Sequence, residues 1–315
     1  MISIVIPLYN KAQSITNTIR SLQRQTYQDF EIVVVDGYST DGSLEQIQQL
    51  SKQDPRIHVY MQVNRHGVTP ARNETVEHAQ AEHIAFIDAD DRWDDHYLEN
   101  LVALIHDYPQ AGIWGMAYST MQGEQVLVDS RWQSAPYNDF RGLLPANPWR
   151  EWGCPFWTSA TAISKKAFNE VGGFDNSIIY GEDIDLWYRL ILNYPAAFDA
   201  TNNMAYYRTD AENRACEHTF PLNIHIPSHI DKYKPYRLAN TDFRAFFDRQ
   251  MLYRLFPYTA DTEYQNALKP ILQQIDFSLQ KKSMCWRFRF PKLYRFYLRC
   301  KGKEDKHLEQ YQGGQ

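Results

Sequence analysis

The chain has 315 residues, enough for one large core or two smaller ones, and its hydrophobic and charged fractions, 43% and 23%, are those of a folding globular protein. A formal charge of −5 leaves no footprint for bulk nucleic-acid binding, and the four cysteines (Cys154, Cys216, Cys285, Cys300) are too scattered for a zinc site or a disulfide framework. No apolar stretch approaches the ~20 residues of a spanning helix, and MISIVIPLYN lacks the basic region of a signal peptide, so a reducing, cytoplasmic setting is expected.

Ser3 to Ile6 is a β-branched run closed by Pro7, the pattern of a buried strand. Ile15, Ile19 and Leu22 then recur at the spacing of one helix face, within residues 12–25. EIVVV (31–35) predicts a second buried strand, ended by Asp36 and Gly37. Asp41 and Gly42 mark a turn, and Ser43 is placed to cap a helix running through Leu50. Ile57 to Val63 predicts a third strand. Thr69 to Gln80 predicts a helix with Pro70 in its first turn, and His83 to Ile87 a strand that delivers Asp88. The alternation defines an α/β fold, a mostly parallel sheet flanked by helices. In such sheets ligands bind outside the carboxyl ends of the strands, here marked by Tyr9, Asn10, Asp36, Asp88 and Asp90.

Beyond residue 95 the pattern loosens. Leu98 to His106 predicts a helix, and residues 130–160, rich in Trp, Pro and Asn, a long loop region. Ala160 to Ile163 predicts a strand. Lys165 to Val171 predicts a short helix stopped by Gly172 and Gly173, and Glu182 to Asn193 a helix with Leu186, Leu190 and Ile191 inward. Near residue 220 the character changes, which sets expected domains of 1–220 and 221–315, the second mainly helical. Helices are predicted there over Phe243 to Phe256 and Thr262 to Leu279.

The chemistry concentrates in FIDADD (86–91), where an apolar strand stops in a cluster of carboxylates. Packed carboxylates repel and are costly to desolvate, so a positive partner is required, either a divalent cation or nearby Arg and Lys. An EF-hand is excluded, because Arg92 and Trp93 stand where its ligand and glycine belong. No GxxxxGK[ST] loop and no GxGxxG follow the first strand, which removes P-loop and dinucleotide-binding folds. A protein without such a loop can neutralise phosphates through a divalent ion held by two carboxylates. The structural alternative is a solvated acidic turn, and Asp91, Asp94 and Asp95 are expected to be the solvated part of the cluster.

Five segments resemble the inverting nucleotide-sugar glycosyltransferases of family 2, which have the GT-A (Rossmann-like) fold. They are SIVIPLYN (3–10), SLQRQTYQDFEIVVVDGYSTDGS (21–43), GVTPARNE (67–74), HIAFIDADD (83–91) and GGFDNSIIYGEDIDLWYRL (172–190), in the family's order and spacing. The resemblance implies that Pro7 and Tyr9 contact the nucleoside, Asp36 the base, and Arg72 the nucleotide. It implies that Asp88 and Asp90 form the DxD, with Asp90 the direct ligand of Mn or Mg, and that Asp183 is the catalytic base. The segment after the second strand departs from the family's Asp-Asp-Gly, reading Asp36-Gly37-Tyr38, so a base contact must come from Asp36 or be absent. Each residue also has a structural explanation: core packing for Tyr9, turn formation for Asp36, a surface helix position for Arg72, the helix dipole for Asp183.

These roles describe a single base with direct displacement. A retaining hydrolase would need a second carboxylate ~5 Å away, and Glu182 and Asp185, adjacent in sequence on a helix, point away from Asp183. Glu182 is expected to orient the site or the acceptor, and Arg189 to hold the helix through an ion pair. Trp149, Trp152 and Trp157 lie between the DxD and Asp183; sugar platform and simple packing both suit them, with Trp152 and Trp157 the acceptor candidates. From Lys281 to Lys303 the chain is basic and aromatic without an acid, which suits an anionic membrane surface or a helix packed on the protein; Pro291 argues against one unbroken helix. The expected function is a metal-dependent transfer, hexosyl or N-acetylhexosaminyl, from a nucleotide-sugar, UDP-linked, to a glycan or lipid-linked acceptor in surface polysaccharide synthesis. A non-catalytic nucleotide-sugar-binding scaffold of the same fold is the alternative. A nucleotidyltransferase would show a Gly-rich, Arg/Lys-containing loop where this chain has PLYNKAQS.

Overall fold

Strand β1 (Ile2–Leu8) is buried along almost its whole length because strands flank it on both sides. The structure, a computed structural model, describes residues 1–63, 66–212, 214, 220–260 and 262–300. After β1 come α1 (Ile15–Gln23), β2 (Phe30–Asp36), α2 (Ser43–Ser51), β3 (Ile57–Met61), α3 (Val68–His78) and β4 (His83–Phe86). Then follow β5 (Arg92–Trp93), α4 (Tyr97–Asp107), β6 (Ile113–Met116), β7 (Tyr118–Gln122), β8 (Gln125–Val128) and β9 (Arg141–Leu143). The series closes with β10 (Thr161–Ser164), α5 (Lys165–Val171), α6 (Glu182–Asn193), β11 (Ala196–Asp199) and β12 (Ala205–Arg208).

The main sheet has the order β3-β2-β1-β4-β10-β6-β11-β9. Its first four strands are parallel, as the apolar runs require of a sheet covered on both faces. Beyond β4 it is mixed: β10 runs antiparallel to both β4 and β6, and β9 antiparallel to β11, while β6 and β11 are parallel. A smaller sheet has the order β5-β12-β7-β8. Helix α1 buries Ile15, Ile19 and Leu22, as its spacing predicts. Residues 130–160 hold more structure than a loop, since β9 pairs with β11. Ser43 begins its helix inside the first turn rather than capping it; Gly42, at φ 94°, is the cap.

The chain divides into two compact units, Met1–Ala146 with Cys154–Arg214, and Asn147–Gly153 with Ala215–Gln315. Within the second lie α7 (Lys234–Ala239), α8 (Thr241–Leu255), α9 (Gln265–Leu272), α10 (Lys282–Arg289) and α11 (Pro291–Cys300). Asn240 caps α8 by accepting from the Phe243 amide, and Tyr233, Phe243 and Phe247 form its aromatic core. Trp149 belongs to this unit, its ring 4.7 Å from that of Phe243. The single helix expected over 262–279 is instead a short turn, α9 and a second turn. Past Leu272 the amides of Gln274 and Ile275 turn back three residues, to Ile271 and Leu272, and the Asp276 amide donates to Asp248, whose carboxylate also holds Arg237 in a buried ion pair. The basic tail breaks at Pro291 into α10 and α11. Tyr294 and Leu298 pack on Phe256, while Phe290, Leu293, Phe296 and Tyr297 stay exposed. Lys301 and Lys303 lie outside the described residues.

Candidate active site

The parallel register sets Leu8 beside Asp36 and Val5 beside Phe86, so the carboxyl ends of β2, β1 and β4 form one edge. Pro7 is half-buried at the end of β1, and Tyr9, just beyond it, is 60% exposed. Asp36 is fully buried. Its Oδ2 accepts from the Ser39 amide at 2.9 Å, and its Oδ1 is buried with no hydrogen-bond partner among the described residues. Buried polar atoms are satisfied as a rule, so an orphaned acceptor at a ligand edge marks a place for a donor group. A side chain at Gly37 would meet Gln62 Oε1 at 3.2 Å, so Gln62 fills the space that a second carboxylate would need. Tyr38 holds φ at 66°, a region that glycine enters without strain, and its ring lies edge-on to His66.

Arg72, on α3, joins the two acidic segments. Its guanidinium donates to Asp88 Oδ1 at 2.8 Å and to Glu182 Oε1, and it is only 5% exposed. Burial works against the charge, but the carboxylates of Asp88, Glu182 and Asp183 outweigh it and hold the guanidinium above its usual range. Glu182 shows the reverse balance: burial pushes its carboxyl up to about 7, against the pull of Arg72 and with the help of Asp183.

Gly181, at φ 83°, turns the chain into α6, and the helix opens on Glu182, Asp183 and Asp185. The three carboxylates part at once. Glu182 goes to Arg72, Asp183 Oδ2 accepts from Thr158 Oγ1 at 3.0 Å, and Asp185 pairs with Arg189 at 2.6 Å. Arg189 also donates to the carbonyls of Val171 and Gly173, which ties α6 to the end of α5.

The positive partners of the DxD are side chains. Lys11 Nζ donates to Asp90 Oδ2 at 2.7 Å and to the carbonyl of Glu212, while Arg72 holds Asp88. Burial raises the Asp90 carboxyl, and Lys11 draws it back. Asp91 corrects the expectation of a solvated remainder: it is 2% exposed. Its oxygens accept from Ser159 Oγ and the Arg208 amide, and burial, then Asp90 and Asp88, push its carboxyl well above the usual range. Asp95 does lie at the surface, paired with Arg24.

Sequence reasoning missed Lys11, Thr158 and Ser159. The antiparallel pairing of β10 with β4 places Thr161 beside Phe86; continuing that register sets Ser159 opposite Asp88, whose amide donates to its hydroxyl. A hydroxyl pair just before a strand was the available signal, but it gains meaning only from this register. Trp157 is 5% exposed, its ring 4.4 Å from Tyr118 and 5.5 Å from Tyr207, so it packs instead of presenting a face as a sugar platform. Trp152 is half-buried and belongs to the second unit, while Asp88 and Asp183 belong to the first.

A parallel β3-β2-β1-β4 core, an acidic loop after β4 and a helix opening on carboxylates together describe an α/β domain with its polar groups gathered at one sheet edge. Residues 3–172, more than half of the chain, match the glycosyl transferase family 2, and the chain belongs to that family. It is similar to the putative teichuronic acid biosynthesis glycosyltransferase TuaG of Bacillus subtilis, 38% identical over 99 residues, 31% of this chain and 39% of TuaG. The amylovoran biosynthesis glycosyltransferase AmsB of Erwinia amylovora is 25% identical over 198 residues, 59% of this chain and 62% of AmsB. These matches thus span less than two thirds of either relative. The crystal structure of S. aureus TarS 1–349 in complex with UDP-GlcNAc has a TM-score of 0.67 at 18% identity, covering 99% of this chain and 90% of that one. The common architecture is the GT-A fold.

Proposed function

We propose that the chain is an inverting glycosyltransferase that moves a sugar from a nucleoside-diphosphate donor, UDP-linked, to a hydroxyl of a glycan or lipid-linked acceptor in surface polysaccharide synthesis. The observation that carries this reading is Arg72, whose one guanidinium bonds both Asp88 and Glu182 and so sets the DxD loop beside the N-terminus of α6. Asp36 Oδ1, an acceptor without a partner among the described residues, supports a nucleoside contact at the β1–β2 edge, with exposed Tyr9 beside it. The complex of TarS with UDP-GlcNAc supports a UDP donor, and the names of TuaG and AmsB support polysaccharide synthesis.

Asp183 is the base. Its Oδ2 is held by Thr158, and Oδ1 accepts from the Ile184 amide at 2.8 Å, which fixes the carboxylate at the helix N-terminus. It takes the proton of the acceptor hydroxyl as that oxygen bonds to the anomeric carbon and the bond to the diphosphate breaks, inverting the centre. Arg72 is positioned to steady negative charge near Asp88, and Glu182 orients Arg72.

The acidic pair also suits a divalent cation. Asp88 and Asp90 are hard oxygen donors, and no group of three His, Cys, Asp or Glu is placed to hold a metal among the described residues. Two carboxylates are what Mg²⁺ or Mn²⁺ takes from protein when substrate phosphates supply further oxygens. When bound, such an ion offsets charge on the leaving diphosphate. The exposed Phe290, Leu293, Phe296 and Tyr297, set among Arg and Lys, support peripheral contact with an anionic membrane. No helix among the described residues is long and apolar enough to cross one.

The decisive measurement is UDP release from a panel of nucleotide sugars, with and without Mn²⁺, for the wild type, Asp183→Asn and Asp90→Asn. Turnover that depends on both carboxylates supports the reading. Absence of turnover with every donor and with membrane extract as acceptor overturns it. For the tail, Leu293→Ser with Phe296→Ser should reduce co-sedimentation with anionic vesicles, and unchanged binding counts against membrane contact.

A further inference from the structure

A cavity of about 330 Å³ opens between α1 and the smaller sheet, with Asp90 in its wall. One wall is a stripe of α1: Asn17 and Arg20, three residues apart, and Arg24 one turn on, all exposed. The other wall carries Arg92 on β5 and Arg208 at the end of β12. Tyr206 pairs with Arg92 across the strands, so Arg208, two residues on, stands on the same face. Four guanidinium groups therefore border one space.

Their own partners are weak. Glu124, 3.4 Å from Arg92, is 90% exposed, and Asp210 lies 3.4 Å from Arg208. Arg24 pairs with the half-exposed Asp95, and the Arg20 side chain has no ion pair among the described residues. Exposed pairs of this kind contribute little and yield readily to a better anion. The acids in the wall are already engaged, Asp90 by Lys11 and Asp91 by Ser159 and the Arg208 amide. The lining keeps a surplus of positive charge. Of the donor-side residues only Asp90 reaches its wall; Tyr9, Asp36, Arg72 and Asp88 take no part in it.

Arginine forks match the oxygens of a phosphoryl group two at a time. The volume exceeds what a bare phosphate fills and falls at the small end of ligand pockets. We propose that this cavity is a second anion subsite, beside the donor edge and sharing only Asp90 with it, that takes a phosphoryl group carried on a sugar or polyol. Two sources share that chemistry, a phosphate-bearing glycan chain and a free sugar or polyol phosphate. The proposal does not depend on the transfer reaction, since the cavity would bind its anion even in a chain without turnover.

Calorimetric titration of the full chain with glycerol 3-phosphate, and with an oligomer of phosphodiester-linked glycerol, tests this. The wild type should bind saturably, more weakly at high salt, and saturating UDP should not displace the probe. The double variant Arg20→Gln, Arg92→Gln should keep the wild-type melting temperature and lose about tenfold or more in affinity. Tighter binding of the oligomer supports the subsite with a polymer as its occupant, and equal binding supports it with a free phosphate ester. Absence of saturable binding, displacement by UDP, or unchanged affinity in the double variant overturns the proposal.

Discussion

The two sides of strand β4 build the site by different means. On its parallel side, β1 and β2 deliver charged or ring-bearing groups directly from strand ends: Tyr9, Asp36 and the Lys11 that follows them. On its antiparallel side, β10 arrives with neutral hydroxyls, and Thr158 and Ser159 hold Asp183, Asp88 and Asp91 in place. One side supplies groups that face the strand-end edge; the other fixes where the acids stand. A substitution on the first should cost chemistry with little change in stability, and one on the second should cost both.

The largest effect is expected at Asp183. If Asp183 is the proposed base, replacing it by Asn should lower turnover by ~10³-fold or more with the melting temperature unchanged. A merely structural Asp183 would give the opposite result, a lower melting temperature and retained specific activity. Asp90→Asn should lower turnover by ~10²-fold and shift the Mn²⁺ dependence, read by titrating metal against initial rate. On the hydroxyl side, Ser159→Ala leaves Asp91 and the Asp88 amide short of a partner and should destabilise by about 1–3 kcal/mol, measured by denaturant unfolding. Thr158→Val should lower kcat by about tenfold with KM for the donor little changed, and Thr158→Ser should restore it.

The remaining test sharpens the contrast through pH. Glu182 has its carboxyl at about 7 in the folded chain, against 4.5 when free. Below pH 4.5 both forms hold the proton; between there and 7 only the folded form does, so stability falls as pH rises through that window. Glu182→Gln should flatten that slope, by at most about 3 kcal/mol across the window. An identical slope in the variant would remove Glu182 as its source.

The legible parts were those whose signal is local. β1, β2 and β4 announce themselves as apolar runs next to Pro or Asp, although β1 runs through Pro7 to Leu8, and the break in the tail was visible at Pro291. What stayed hidden depends on partners far along the chain. Asp91 looks like a surface acid in sequence, because the Ser159 hydroxyl and Arg208 amide that bury it lie 68 and 117 residues away. Lys11 reads as an ordinary loop lysine until Asp90, 79 residues later, is folded against it. β9 has three residues and a single large apolar side chain, too little pattern for a strand; its pairing with β11 supplies the rest. The 262–279 region misled for a similar reason, since after α9 the Asp276 amide bonds to Asp248, 28 residues back on α8, instead of within a helix.

Lys11 has a practical consequence. Its ammonium already sits on Asp90, and its second bond reaches the Glu212 carbonyl. The charge on Asp90 is therefore offset by the chain itself, before any ligand arrives. A cation of the kind proposed for Asp90 would have to displace this tethered ammonium, so its binding would be an exchange of one cation for another.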